Sequence, residues 1–270
     1  MYIYKKSDLY LAIELFNNYN QMISFSNINF IWIVVAIITF CSLLIFNIKA
    51  PYGRHSSTNW GKMISNKWGW FIMELPAFIL MPLLSLIGHS EKDLTTILLL
   101  ILWTIHYGNR TLIFPFRIKT KNKKMPLLIV VCAFFFNGVN GVLNGYFIGY
   151  LKESNDTILS ANVLIGLSVF IIGMYLNKTS DKKLISLREK NEGYQIPTGG
   201  MFNYISCPNH FGEIIEWIGF SIIAWNLPAT TFAIWTFCNL APRSNNHHHW
   251  YKENFKDYPK NRKALIPFIW

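Results

Sequence analysis

The chain has 270 residues, of which 52% are hydrophobic, 16% aromatic and only 14% charged, and its mean hydropathy is positive. That is more apolar surface than one water-soluble core can bury, so an all-α, polytopic integral membrane protein is expected. The formal net charge of +11 does not point to nucleic acid, because the basic residues fall in short clusters between apolar runs and form no basic face.

Residues 1–29 are polar, aromatic and mixed in charge; they read as an N-terminal segment with no cleavable signal peptide. The first apolar run, Phe30–Phe46, is close to the about 20 residues that cross a bilayer. A basic, aromatic loop with Lys49, Arg54, Lys62 and Lys67 leads to a second run, Trp68–Gly88. That run carries Glu74, Pro76 and Pro82, and the prolines predict a kinked or partly unwound helix. A turn at Glu91, Lys92 and Asp93 precedes a third run that ends in HYGNRTLIFPF, His106–Phe116. The next loop holds Arg117, Lys119, Lys121, Lys123 and Lys124.

The fourth run, Pro126–Tyr150, sets Asn137, Asn140 and Asn144 among glycines, a pattern that favours close helix packing or a polar cavity. After a turn with Glu153 and Asp156, the fifth run spans Ile158–Leu176 and continues into NKTSDKKLISLR, Asn177–Arg188. Then comes YQIPTGGMFNYISCPNHFGEIIEW, Tyr194–Trp217, an extended Gly-rich segment feeding a hydrophobic helix. Gly199 and Gly200 permit positive φ or close ligand approach, and Pro208 suits a first helical turn. The sixth helix reaches about Trp225 and, across Asn226, Leu227 and Pro228, forms a tight hairpin with a seventh that reaches about Leu240. The tail, Arg243–Trp270, is too short for a separate domain, so residues 30–270 form one seven-helix domain.

Loops one, three and five and the tail carry the Lys and Arg, whereas the even loops carry few, which places the basic side in the cytoplasm. Seven spans then put the N-terminus outside and the C-terminus inside. The scattered Cys41, Cys132, Cys207 and Cys238, with no CxxC spacing, support neither a disulfide framework nor a zinc site.

Two polar groups stand out by depth. On the cytoplasmic side, Asn177, Asp181 and Arg188 share a helix face, as do Asn209, Glu213 and Trp217. With Tyr251 and Arg262 they form either a polar basket for an anionic cofactor or a cap of surface ion pairs. No GxGxxG follows a strand, so a dinucleotide would need a site other than a Rossmann domain. Deeper lie Glu74 and Tyr107. A carboxyl that keeps its proton and a phenol can both donate to a carbonyl oxygen and stabilise charge developing there. An intramembrane acid equally suits a proton or ion pathway in a transporter.

Several stretches occur together and in order: WGWFIMELPAFIL, HYGNRT, NKTSD with LISLR, IPTGGMFNYISCPNHFGEIIEWIGF, and HHHWY followed by FKDYPKNRKALIPFIW. From about Trp68 to the C-terminus the chain resembles the steroid 5α-reductase family. The resemblance implies a membrane enzyme of seven spans that uses NADPH to reduce the Δ4 double bond of 3-oxo steroids. It implies that Glu74 and Tyr107 bind the 3-oxo group, that Trp70 lines the substrate, and that hydride goes to C5 before C4 is protonated. For the cofactor it implies Asn177, Asp181, Arg188, Tyr194, Asn209, Glu213, Tyr251 and Arg262, with Arg243 and His247 in the same region.

The histidine run is offset by one residue from the family's pattern, which leaves open whether His247, His248 or His249 faces the cofactor. Three neighbours on an extended chain point alternately, so no metal is expected. The lysines of the third loop meet either the 2′-phosphate of NADPH or anionic lipid. A related reductase of a polyprenol or enoyl thioester, and a transporter or lipid-binding protein, are the competing functions; no internal repeat supports a transporter. The expected partners are a lipid substrate arriving from the bilayer and the surrounding lipids, with no nucleic acid and no obligate protein. The membrane is a bacterial inner membrane or the endoplasmic reticulum.

Overall fold

A computed structural model of the chain describes residues 6–118, 123–154, 158–190 and 193–270. The first five residues, Lys119, Lys121 and Asp156 lie outside the described residues. The chain forms α1 (Lys6–Ile45), α2 (Asn66–Ile87), α3 (Leu94–Gly108), α4 (Phe114–Arg117), α5 (Leu127–Tyr146), α6 (Ala161–Lys190), α7 (Pro208–Ala224) and α8 (Leu227–Asn254). Among the described residues, five stretches are long and apolar enough to cross a membrane: Asn20–Ile45, Asn66–Ile87, Leu94–Arg117, Leu127–Leu151 and Ala161–Arg188. They leave Ile31, Leu86, Phe135 and Ile165 exposed, a surface suited to lipid rather than water.

Several boundaries differ from the expected ones. α1 begins at Lys6, so the 29/30 boundary falls inside a continuous helix. α2 stays helical through Pro76 and Pro82, and no unwound segment interrupts it. Wide π-helical turns extend α3 over Asn109–Ile113 and α5 over Phe147–Leu151. α8 runs past Leu240 and through Pro242 to Asn254, because its far half is packed: Ser244, Asn246 and Tyr251 are buried. The histidine run is therefore helical, and its members point in successive directions about the helix axis.

The hairpin between α7 and α8 forms as expected. Trp225 adopts a left-handed conformation (φ 45°), and Asn226 caps α8 by accepting from the Ala229 N–H at 2.9 Å. Asp93 caps α3 in the same way, accepting from Thr96 N–H at 2.7 Å.

Two helix pairs are set by glycine. A Cβ on Gly212 of α7 would lie 2.5 Å from the backbone N of Asn177 on α6, and one on Gly145 of α5 would lie 2.8 Å from Met81 O on α2. Between the pairs sits an aromatic core of Trp103, Tyr107, Phe170, Trp217, Phe220 and Phe232. At one end, a short antiparallel ladder pairs β1 (Met63–Ser65) with β2 (Lys124–Pro126), which the sequence reading did not anticipate. Asn246 donates to Ile48 O at 3.0 Å, Arg54 to the Tyr251 hydroxyl at 3.2 Å and Lys123 to the Tyr194 hydroxyl at 3.1 Å. The basic loops and the tail are thereby gathered at a single end of the bundle.

The substitution Gly212→Ala should overpack the α6–α7 contact and cost about 1–3 kcal/mol. Its thermal midpoint in detergent should fall, and a midpoint equal to the parent's would show that these backbones do not touch.

Candidate active site

Glu74 and Tyr107 line one cavity, with Trp70, Asn137, Arg110 and Trp217 among its walls. Both are buried within the bundle. Asn137 of α5 links them: its Nδ2 donates to Glu74 Oε2 at 3.3 Å and to Met73 O at 2.6 Å, while its Oδ1 faces the Tyr107 hydroxyl at 3.4 Å. This asparagine, expected to serve close packing or a polar cavity, thus contacts both groups.

Arg110 was not foreseen as a site residue, although it stands three positions after Tyr107 in HYGNRT. The π-helical turn carries it, and such turns often occur at functional sites. Its guanidinium lies 3.5 Å from Glu74 Oε1 and 4.0 Å from Asp181 Oδ2, and packs over Trp70 and Phe114 at 4.8 and 4.9 Å from the ring centres. A cation at the end of an apolar run was the available signal.

A second cavity opens toward the basic end and shares Tyr52, Trp70, Arg110, Glu213 and Arg243 with the first. Asp181, Arg188, Asn209, His247 and Tyr251, all candidates from the sequence, line it too. Asn177 stands behind it: Nδ2 donates to Asn209 O at 3.0 Å and to Glu213 Oε2 at 3.1 Å, and Asn209 donates to Asp181 at 3.1 Å. Tyr194 sits at the rim, its ring 5.1 Å from the Arg54 guanidinium.

Arg262 is not on the cavity wall. It is buried over the Tyr258 ring at 5.0 Å, and its Nε and Nη1 lack partners. Of the three histidines, His247 faces the cavity, His248 bonds to Ser206 at 2.7 Å, and His249 is exposed and bonds to Asn245 O at 2.9 Å.

Arg54 and His210 also line this cavity, and neither was foreseen as a site residue. Arg54 lies under the rings of Trp250 and Tyr251, at 4.8 and 4.4 Å, and its buried Nη1 has no partner. His55 stacks on His247 with ring centres 5.3 Å apart, and burial, then the charges of Arg54 and Lys49, lower its pKa to about 4. It is neutral at neutral pH, and its Nε2, like His247 Nδ1, is buried without a partner. An unsatisfied buried guanidinium nitrogen and unpartnered ring nitrogens beside several arginines fit an anionic ligand. Among the described residues, no group of three His, Cys, Asp or Glu is placed to hold a metal ion.

Comparison with known proteins places the chain in a family. The family model for 3-oxo-5-alpha-steroid 4-dehydrogenase matches residues 123–270. The chain is 39% identical to a steroid 5-alpha-reductase of Arabidopsis thaliana over 238 residues, covering 85% of this chain and 91% of that protein. It is 38% identical to a 3-oxo-5-alpha-steroid 4-dehydrogenase 1 of Bos taurus over 236 residues, 85% of this chain and 91% of that one. The human protein of the same description is 37% identical over 226 residues, 82% of this chain and 86% of its own. The chain belongs to the 3-oxo-5-alpha-steroid 4-dehydrogenase family.

Proposed function

We propose that this protein reduces the Δ4 double bond of 3-oxo-Δ4 steroids to 5α-reduced 3-oxo steroids, with NADPH as the reductant. The observation that carries the reading is that the cavity holding Glu74 and Tyr107 shares Arg110 and Glu213 with the basic cavity beside it. A substrate carbonyl and a cofactor can therefore meet across one wall. The large groove between α1, α2 and α5, about 930 Å³ and lined by Leu75, Pro76, Ile79, Phe134 and Val142, supports a lipid substrate drawn from the bilayer.

We read α7 and α8 as two further spans, giving seven in a single membrane domain whose first span lies in α1. The gathering of the basic loops at one end supports a cytoplasmic cofactor site and C-terminus, with the N-terminus outside. The membrane in this reading is a bacterial inner membrane or the endoplasmic reticulum.

NADPH, when bound, supplies a hydride to C5. Arg54, Arg188 and Arg243, with the neutral His247, hold its phosphates in this reading; Asn209 and Glu213 hold its polar groups nearer the first cavity. Asn177 and Asp181 keep Asn209 in place. Tyr107 donates its hydroxyl to the 3-oxo group, Glu74 with its proton donates a second bond, and the Arg110 charge offsets the negative charge growing on that oxygen. Asn137 holds Glu74 by donating to its Oε2, and the Tyr107 hydroxyl turns from Asn137 Oδ1 to the 3-oxo oxygen when substrate binds. Trp70 forms an apolar wall that excludes water.

Purified protein given NADPH and a 3-oxo-Δ4 steroid should yield a product two hydrogens heavier with 5α configuration, read by chromatography and mass spectrometry. NADPH binding without product would favour reduction of another lipid, such as a polyprenol or enoyl thioester. Glu74→Ala should bind NADPH normally and lose roughly 100-fold or more in turnover, the scale of one lost donor; parent-like turnover would remove Glu74 from catalysis. Arg188→Ala should weaken NADPH affinity about tenfold, as expected for one charged hydrogen bond. Unchanged affinity by fluorescence titration would place Arg188 outside the cofactor site.

A further inference from the structure

The roles assigned above leave one buried imidazole–carboxyl pair unused. His106 Nδ1 lies 2.8 Å from Glu216 Oε1, and the two side chains are 2% and 0% exposed. They meet between α3 and α7 inside an aromatic shell, the His106 ring 4.7 Å from Trp217 and 5.1 Å from Tyr107. Apolar residues would fill this space at lower cost than an acid and an imidazole. The second oxygen, Glu216 Oε2, is buried and has no hydrogen-bond partner.

His106 also lines the cavity that holds Glu74 and Tyr107. A carboxylate only accepts, so Nδ1 carries the bridging proton and Nε2 is the ring nitrogen left for the cavity. With a second proton on Nε2, imidazolium and carboxylate together carry no net charge, which suits their apolar surroundings.

We infer that the His106–Glu216 pair supplies the proton that completes the reduction, an inference that rests on the reductase reading above. Hydride addition at C5, with a reduced nicotinamide as the two-electron donor, moves the C4=C5 electron pair toward the 3-oxo group and gives an enolate. C4 then takes the proton from His106 Nε2: a C–H bond forms, an N–H bond breaks, and the carbonyl is restored. Glu216 holds the ring in the orientation that presents Nε2, and water returns the lost proton.

A return route lies on the loop side. Lys178 Nζ is buried without a partner, and Glu216 is the acid whose charge acts most strongly on it. Lys178 borders a cleft of about 180 Å³ with Asn109, Asp181 and Lys182, room enough for water. The charged and titratable groups around His106 are Tyr107, Glu74 of α2, Glu213 and Glu216 of α7 and Arg110 of the π-helical turn.

The test uses full-length protein in lipid nanodiscs, with NADPH and a 3-oxo-Δ4 steroid. His106→Gln should keep NADPH affinity within about threefold and retain single-turnover NADPH oxidation, while steady-state turnover falls roughly 100-fold, the scale of a lost general acid. Its solvent deuterium isotope effect should rise and the alkaline limb of its kcat profile should disappear. In cofactor-free protein labelled with ¹⁵N-histidine, His106 should show two protonated nitrogens, and Glu216→Gln should remove that signature.

A His106→Gln variant with the parent's isotope effect and pH profile would overturn the inference. So would loss of NADPH binding, which would make the pair a strut, and so would a His106 spectrum with one protonated nitrogen. Failure of the parent protein itself to form reduced steroid would instead overturn the reductase reading, so the two failures are separable.

Discussion

The backbones of α6 and α7 touch because each helix presents glycine at seven-residue intervals, Gly166 and Gly173 on one and Gly212 and Gly219 on the other. Lipid gives helices no hydrophobic reason to associate, so close van der Waals contact and interhelical hydrogen bonds must do it. The short separation decides which polar residues work. Asn177 reaches both Asn209 O and Glu213 across the seam, and Asn209 reaches Asp181, because short side chains are enough at this distance. α2 and α5 repeat the arrangement through Gly141 and Gly145, and there Asn137 spans from α5 to Glu74 and Met73 O. Each half of the site therefore rests on a pair of helices whose spacing is set by missing side chains.

Arg110 joins the halves. A guanidinium in a buried setting must be paired, and its planar fork can meet acids on two sides while its faces lie against rings. Glu74 comes from the α2–α5 pair and Asp181 from the α6–α7 pair, so one side chain ties them at 3.5 and 4.0 Å. Around it the charges separate by depth. Glu74, Asp181 and Glu213 cluster near Arg110, while Arg54, Arg188 and Arg243 lie along the cavity toward the loops. In the proposed function this order places the phosphates among the cations and the reactive ring near the acids.

Much of this was legible in the sequence because apolar runs and their punctuation are local signals. The spans after α1, the Asn226 hairpin and the positive φ of Gly199 and Gly200 follow from such signals. The full extents of α1 and α8 do not. Residues before Phe30 are too polar for a hydropathy reading, and the part of α8 beyond Pro242 stays helical only because Ser244, Asn246 and Tyr251 find tertiary partners. Arg110 and Asn137 were hidden for a related reason: their importance lies in what α2 and α6 bring to them. Arg262 differs again: resemblance places it at the cofactor, and the fold sets its guanidinium over the Tyr258 ring with Nε and Nη1 unpartnered.

Arg54 of the outer cavity is held by rings and a phenol instead of an acid, and that bears on binding. Had Arg54 been fixed by a carboxylate, an incoming phosphate would need to displace a partner of its own charge. Instead Tyr194, Trp250 and Tyr251 approach its guanidinium at 5.1, 4.8 and 4.4 Å, and the phenol of Tyr251 accepts one of its hydrogen bonds. Ring contact holds the planar group in place while leaving its N–H edge available, and among the described residues no acid pairs with it. The ordering cost of this arginine is thus met by the fold before an anion arrives, which is the condition for strong binding by a single side chain.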